Sequence, residues 1–195
     1  MEKKQGFTLA EVLITLVIIG IIASMTLPSL LGGTNKQEIK TGLQKAISVL
    51  TQTITLQYAL TGEDFSSMNS SDSVLNFAKT RLNLKGTTTN ISQITTRDGI
   101  IYDLSNVATG CTQERPCQIT VDANGSKKPN EVTSDDADSL ADIKDQFSLY
   151  VYGTTVSTDK TTCTTQEAED GSQTTSCNTV TNTAAARFIN DEIRN

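Results

Sequence analysis

The chain has no histidine and no tryptophan among its 195 residues. The first absence removes the commonest general acid/base and metal ligand near neutral pH. There is also no Gly-x-Ser-x-Gly turn, no Cys/His couple and no histidine cluster. The familiar nucleophile and metal chemistries of an enzyme therefore lack their residues. Isolated Asp and Glu are too numerous on an acidic surface to nominate a catalytic pair. Aromatics make up only 5% of the chain, while Thr, Ser and Asn crowd 154–183. That composition suits a small core under a polar, solvent-facing surface. Positive charge is scarce in the second half. Residues 98–195 hold seven Lys/Arg against sixteen Asp/Glu, and residues 1–97 hold nine against six. An acidic surface cannot match phosphates, so nucleic acid is not expected as the main partner.

What is present is concentrated at the start. A basic leader with Lys3 and Lys4 ends in Gly6, and an apolar run follows from Phe7 to Leu31. Its only charge is Glu11. The run is long enough to cross a hydrocarbon core of about 30 Å as a helix. A lone carboxylate at the bilayer centre costs at least ~2.5–3.5 kcal/mol on insertion scales. Glu11 therefore calls for a partner, and the most economical one is a free α-amino group on a neighbouring copy, made by removing the leader. The rival is a carboxyl merely protonated in lipid. An ordinary secretory signal would have a shorter apolar core and a small-residue cleavage site after it, and neither is evident. Lys3 and Lys4 favour a cytoplasmic leader and an extracytoplasmic remainder. Thr8 and Thr15 can bond their own helix carbonyls and need no functional role.

The Gly6-Phe7 junction, with Lys3, Lys4 and Glu11 around it, resembles the class III signal of type IV pilins and type II secretion pseudopilins. That resemblance implies cleavage after Gly6 by a prepilin peptidase, which also N-methylates Phe7. It implies that Glu11, fifth in the mature chain, serves assembly with self and sister pilins on an inner-membrane platform. Gly20 and Pro28 fall where many pilins carry helix-loosening residues. Pro28 lacks an amide hydrogen and crowds the preceding turn, so a kink is expected there; Gly20 favours close packing or bending. The resemblance is specific over residues 1–31 and holds in pattern only over 32–60.

Gly32-Gly33 marks a flexible point, after which Ile39, Leu43, Ala46, Ile47, Leu50, Ile54 and Tyr58 recur at helical spacing. This predicts an amphipathic helix ending at Thr61-Gly62, its apolar stripe laid on a sheet. Residues 7–60 together would make a nearly continuous helix of about 80 Å. Ser71 or Asp72 is expected to cap a short helix running to Leu82, with Val74, Leu75, Ala78 and Leu82 inward. Residues 84–97 read as a connection. Strand signals follow at Gly99–Leu104, Cys117–Asp122 and Phe147–Tyr152, and 184–193 reads as a short terminal helix. The expected fold is α+β and pilin-like: a long N-terminal helix on a small antiparallel sheet, with a disulfide-closed C-terminal loop. Its parts are a leader (1–6), a transmembrane assembly helix (7–31), an amphipathic helix (32–62) and an extracytoplasmic head (63–195).

Four cysteines suit an oxidising compartment and allow three pairings. Short separations favour Cys111–Cys117 and Cys163–Cys177; the latter loop would stabilise by ~3 kcal/mol in the chain-entropy model. A zinc site would lack both a CxxC pair and any histidine. Asp122-x-Asn124-Gly125 resembles the opening of a calcium loop, and Asp135, Asp136 and Asp138 add carboxylates. The twelfth position from Asp122 is Thr133 rather than Glu. In relatives of the pilin family a D-x-N-G-x-K-x-P-N stretch leading to D-x-F is common between strands. Asp122, Asn124, Gly125, Lys127, Pro129, Asn130, Asp145 and Phe147 match that outline. The first reading is a turn-forming connection, with calcium on Asp122 and Asn124 as the alternative and no other cofactor.

The function expected is a structural subunit of a type IV pilus or type II secretion pseudopilus. It would be single-pass in the inner membrane before assembly. The alternative is a single-span anchor presenting an extracytoplasmic binding domain.

Overall fold

The computed structural model describes residues 8–167, 173–181 and 183–193. Gly6 and Phe7 lie outside them. The chain forms two compact units, residues 1–38 and 39–195. Helix α1, Leu9–Thr61, begins in the first and ends in the second. Its helical assignment runs through Gly20, Pro28 and Gly32-Gly33 without a break.

In the second unit, the buried face of α1 is Ile39, Leu43, Ala46, Leu50 and Ile54, with Ile47 partly covered. The stripe then continues to Gln57, which is buried, and not to the expected Tyr58, which is 53% exposed. The reason is phase. Position 57 lies seven residues beyond Leu50 and fourteen beyond Leu43, close to whole turns, and position 58 lies about 100° further round, at the edge of the stripe. Gln57 compensates for its burial by donating to Glu63 Oε2 at 2.9 Å and accepting from Arg81 Nε.

Helix α2 spans Ser71–Arg81. Its N-cap is Ser70, one residue before the expected cap, and Ser70 Oγ accepts from the Ser73 amide at 3.3 Å. Val74, Phe77, Ala78 and Leu82 are buried. Leu75, expected inward, is only half-buried, and Phe77 takes the central place, edge-on to Phe65 at 6.0 Å.

Five antiparallel strands follow in the order β1-β2-β3-β4-β5: Ile94–Thr95, Ile101–Asp103, Cys117–Asp122, Gln146–Tyr152 and Thr155–Ser157. A 3-10 turn, Ser105–Thr109, follows β2. The stretch 84–97 is thus more than a connection. Ile94 pairs with Tyr102, and Leu84 bridges to Thr96. The alternation along β3 and β4 puts Ile119, Val121, Phe147, Leu149 and Val151 into the core with Tyr102. Tyr102 Oη donates to Ala46 O of α1 at 3.4 Å. The helix comes closer still at Gly42, where an added Cβ would lie 2.2 Å from Ala123 O.

Strands β6 (Lys160–Glu167) and β7 (Gln173–Val180) form a separate two-stranded ribbon. Helix α3, Ala184–Ile189, is capped by Thr183 and stacks Phe188 on Phe147 at 5.6 Å. The result is an α+β head with an antiparallel sheet against α1 and a disulfide-closed C-terminal ribbon.

Candidate functional site

The apolar half of α1 contains Leu9–Thr26, 18 residues of mean hydropathy 2.3, none of them buried. It is long and apolar enough to cross a membrane, and its side chains point outward all round: Leu9 is 79% exposed, Ile14 60% and Met25 76%. A helix apolar on every side needs lipid or other helices around it. Ser24 and Thr26 turn their hydroxyls back to Ile21 O and Ile22 O, at 2.8 and 3.1 Å, and so satisfy them within the helix. Thr15 does the same to Val12 O at 2.9 Å.

Thr8 behaves differently from the sequence expectation. It stands just before Leu9, the first residue of α1. Instead its Oγ1 accepts from the Glu11 amide at 3.3 Å, while Glu11 Oε2 accepts from Thr8 N and Thr8 Oγ1, both at 2.8 Å. This is a capping box, and its T-x-x-E signal, Thr8-Leu9-Ala10-Glu11, is legible in the sequence. The carboxylate is thus held at the positive end of the helix by its own chain. Among the described residues it is the only charged side chain from Leu9 to Thr26. Gly20 lies within this span, with nothing within 4 Å of its would-be Cβ. Pro28 lies in α1 and has no N–H to give to Ser24 O.

In the head, Cys111 is bonded to Cys117 and Cys163 to Cys177. The first pair is buried at the start of β3. There Cys111 N donates to Phe65 O at 2.8 Å and Gly153 N to Cys111 O at 3.1 Å. The second pair joins directly opposed residues of the ribbon.

The 122–145 connection is a clasp. Asp145 is fully buried, and its two carboxylate oxygens accept from the amides of Asn130 and Glu131 at 2.8 and 2.9 Å. The Asn130 side-chain nitrogen faces Gly125 O, Lys127 O and Asp122 Oδ2 at 2.9–3.1 Å. Asp122 Oδ1 accepts from Asn124 N at 3.3 Å, and Oδ2 from Gln146 Nε2 at 3.2 Å. Burial pushes the Asp122 carboxyl up, and the nearby Asp145 charge adds to this against the Gln146 amide. Asn124 Oδ1 is buried without a hydrogen-bond partner. Calcium takes six to eight oxygens. Here the Asp122 oxygens already face N–H donors, and among the described residues no group of three or more Asp, Glu, His or Cys is placed to hold a metal. The arrangement fits a braced turn better than a cation cage.

Downstream carboxylates are also engaged. Asp135 meets Lys160 at 3.6 Å and accepts from Tyr150 Oη at 3.2 Å, while Asp138 pairs with Arg187. The Tyr150 hydroxyl is pushed up by burial first and by the Asp135 charge second.

Residues 1–27 match the family model described as the prokaryotic N-terminal methylation motif. The chain is 47% identical over 47 residues to type II secretion system core protein G of Escherichia coli (strain K12), covering 24% of this chain and 30% of that protein. It is 47% identical over 60 residues to the protein of the same name from Vibrio cholerae serotype O1, covering 31% and 36%. With that of Klebsiella pneumoniae the figures are 42% over 50 residues, 26% and 33%. The chain thus spans about a third of the length of the curated relatives it matches. No solved structure matches it. Motif and relatives together support the pilin and pseudopilin family.

Proposed function

We propose that this chain is a structural, non-catalytic subunit of a type IV pilus or type II secretion pseudopilus. A prepilin peptidase removes residues 1–6 and methylates Phe7. The chain then waits in the inner membrane as a single pass, its head outside the cytoplasm. An assembly platform draws it, with copies of itself and sister pilins, into a filament held by the N-terminal helices. The observation that carries this reading is a lone carboxylate, Glu11, in the first turn of the span Leu9–Thr26, otherwise uncharged and with none of its residues buried, inside a matched methylation motif. In the filament the Phe7 ammonium of one copy replaces the Thr8 donors of another as the partner of Glu11. That exchange neutralises two charges in an apolar core and fixes the stagger between neighbours. Gly20 and Pro28 let the helix bend or stretch during that packing.

N-terminal mass spectrometry of protein from native envelopes tests the processing step. The expected mature chain starts at N-methylated Phe7. A start at Met1, or after residue 24, overturns it.

A further inference from the structure

The two disulfides occupy opposite environments. Cys111 and Cys117 are buried, at 0% and 7% exposure, and their loop is tied to Phe65 and Gly153 by backbone hydrogen bonds. Cys163 is half-buried and Cys177 exposed. Among the described residues, their ribbon contributes none to the hydrophobic core. Of the described side chains of its strands, Thr162, Thr164, Ser176, Asn178, Thr179 and Val180 are exposed, and Lys160 is half-buried like Cys163. An isolated two-stranded hairpin is marginal in water on its own. The ribbon touches the rest of the head near its disulfide, where Cys163 Sγ lies 3.5 Å from Gln113 O. Beside that contact is a cavity of about 410 Å³, lined by Asn106, Arg115, Gln118 and Thr162 among others and reached by one cysteine of each pair, Cys163 and the 7% exposed Cys117.

We propose that Cys163–Cys177 is a reducible latch. A dithiol reductant opens it while Cys111–Cys117 stays closed. Opening unpairs β6 from β7 and takes Thr162 and Cys163 away from the wall of the cavity beside Gln118, with the core of the head intact. Chemically, a thiolate of the reductant attacks Sγ of the exposed residue Cys177. The Cys163 thiolate leaves and takes up a proton. The second thiol of the reductant then displaces the Cys177 thiolate and closes the reductant's own disulfide, so two electrons and two protons pass to the protein. Rates of such exchange follow access to the attacked sulfur, and access is what separates the two bonds here. In an oxidising compartment the latch rests closed.

The test is graded reduction of the full chain in detergent with dithiothreitol, followed by alkylation, peptide mapping and amide hydrogen exchange. Cys163 and Cys177 are expected to be alkylated at about tenfold less reductant than Cys111 and Cys117. Faster exchange should then be confined to 160–180, and the unfolding midpoint of the head should hold. The Cys163→Ser/Cys177→Ser variant should show the same local exchange without reductant. Simultaneous opening of both bonds, earlier opening of Cys111–Cys117, or unchanged ribbon exchange in the double variant overturns the proposal.

Discussion

In the proposed filament, Glu11 carries the heaviest duty of any single residue. In the isolated chain its carboxylate is held by Thr8, in a capping box that requires no second molecule. Glu11→Ala and Glu11→Gln are expected to lower filament recovery at least tenfold at matched membrane levels, because each leaves a neighbouring ammonium unpaired in an apolar core. Since Glu11 is far along the chain from the head core that begins at Ile39, the head's unfolding midpoint should not move. Normal incorporation of both variants would reject charge pairing and leave helix packing as the assembly force. Asp145 plays the corresponding part in the head. Asp145→Ala strands the Asn130 and Glu131 amides, which a buried carboxylate now satisfies. The expected cost is about 2–3 kcal/mol, since removing an acceptor leaves partly buried donors unmet. Asp145→Asn should cost less, as one oxygen remains. Urea denaturation of the head settles both, and an alanine variant as stable as the parent would show that the clasp is idle.

Among the elements, α1 depends on how closely it can lie on the sheet. Gly42 places the helix backbone against Ala123 O, where a Cβ would lie at 2.2 Å. The obstacle is backbone on both sides, so neither partner can rotate away. Gly42→Ala should therefore destabilise the head by about 1–3 kcal/mol, despite alanine's better helix propensity. Thermal unfolding reads this directly, and a raised midpoint would mean that propensity wins and the sheet yields. The same element shows what periodicity can reveal. The stripe from Ile39 to Ile54 is plain in the sequence, because a 3.6-residue period sustained over several turns suits a helix and no strand. Its last member was not plain, because Tyr58 is apolar enough to extend the stripe and Gln57 is not. Only the partners Glu63 and Arg81, both beyond the helix in sequence, make a buried Gln57 acceptable. The two-residue strand β1 was hidden for a related reason: its pattern is too short to show a period of two, and its place comes from pairing with β2.

Across the whole molecule, charge sets the response to acid. Burial raises the carboxyls of Asp64 and Asp98, but hydrogen bonds outweigh it: Ser66 and Ser67 hold Asp64 below the usual carboxylate range, and Lys45 and Thr96 do the same for Asp98. Lowered folded-state values mean stability that is present above the unfolded carboxylate range and lost as pH falls through the folded values. The head should hold its midpoint from neutral pH to about 5 and lose stability below about 4. The Lys45–Asp98 part, at 2.7 Å but partly exposed, is expected to shrink in high salt. A midpoint that rises on acidification would contradict this and would point to Asp122, whose carboxyl burial pushes up.

The sequence by itself determined the character of the N-terminal segment. A membrane-length apolar run, one carboxylate and a glycine junction are local facts, and their chemistry does not depend on what the rest of the chain folds into. It also determined the amphipathic helix and the two long core strands, where hydrophobic period and element length agree. Tertiary structure alone decided where loops meet. It brought Asn130 and Asp145 around Asp122, so that a stretch with the spelling of a cation loop closes on amide donors instead. It set Gly42 against Ala123, paired β1 with β2, and buried one disulfide while leaving the other on a solvent-exposed ribbon. Whether a backbone can approach, a polar group is satisfied or a disulfide is reachable is fixed by neighbours in space, which a local pattern does not name.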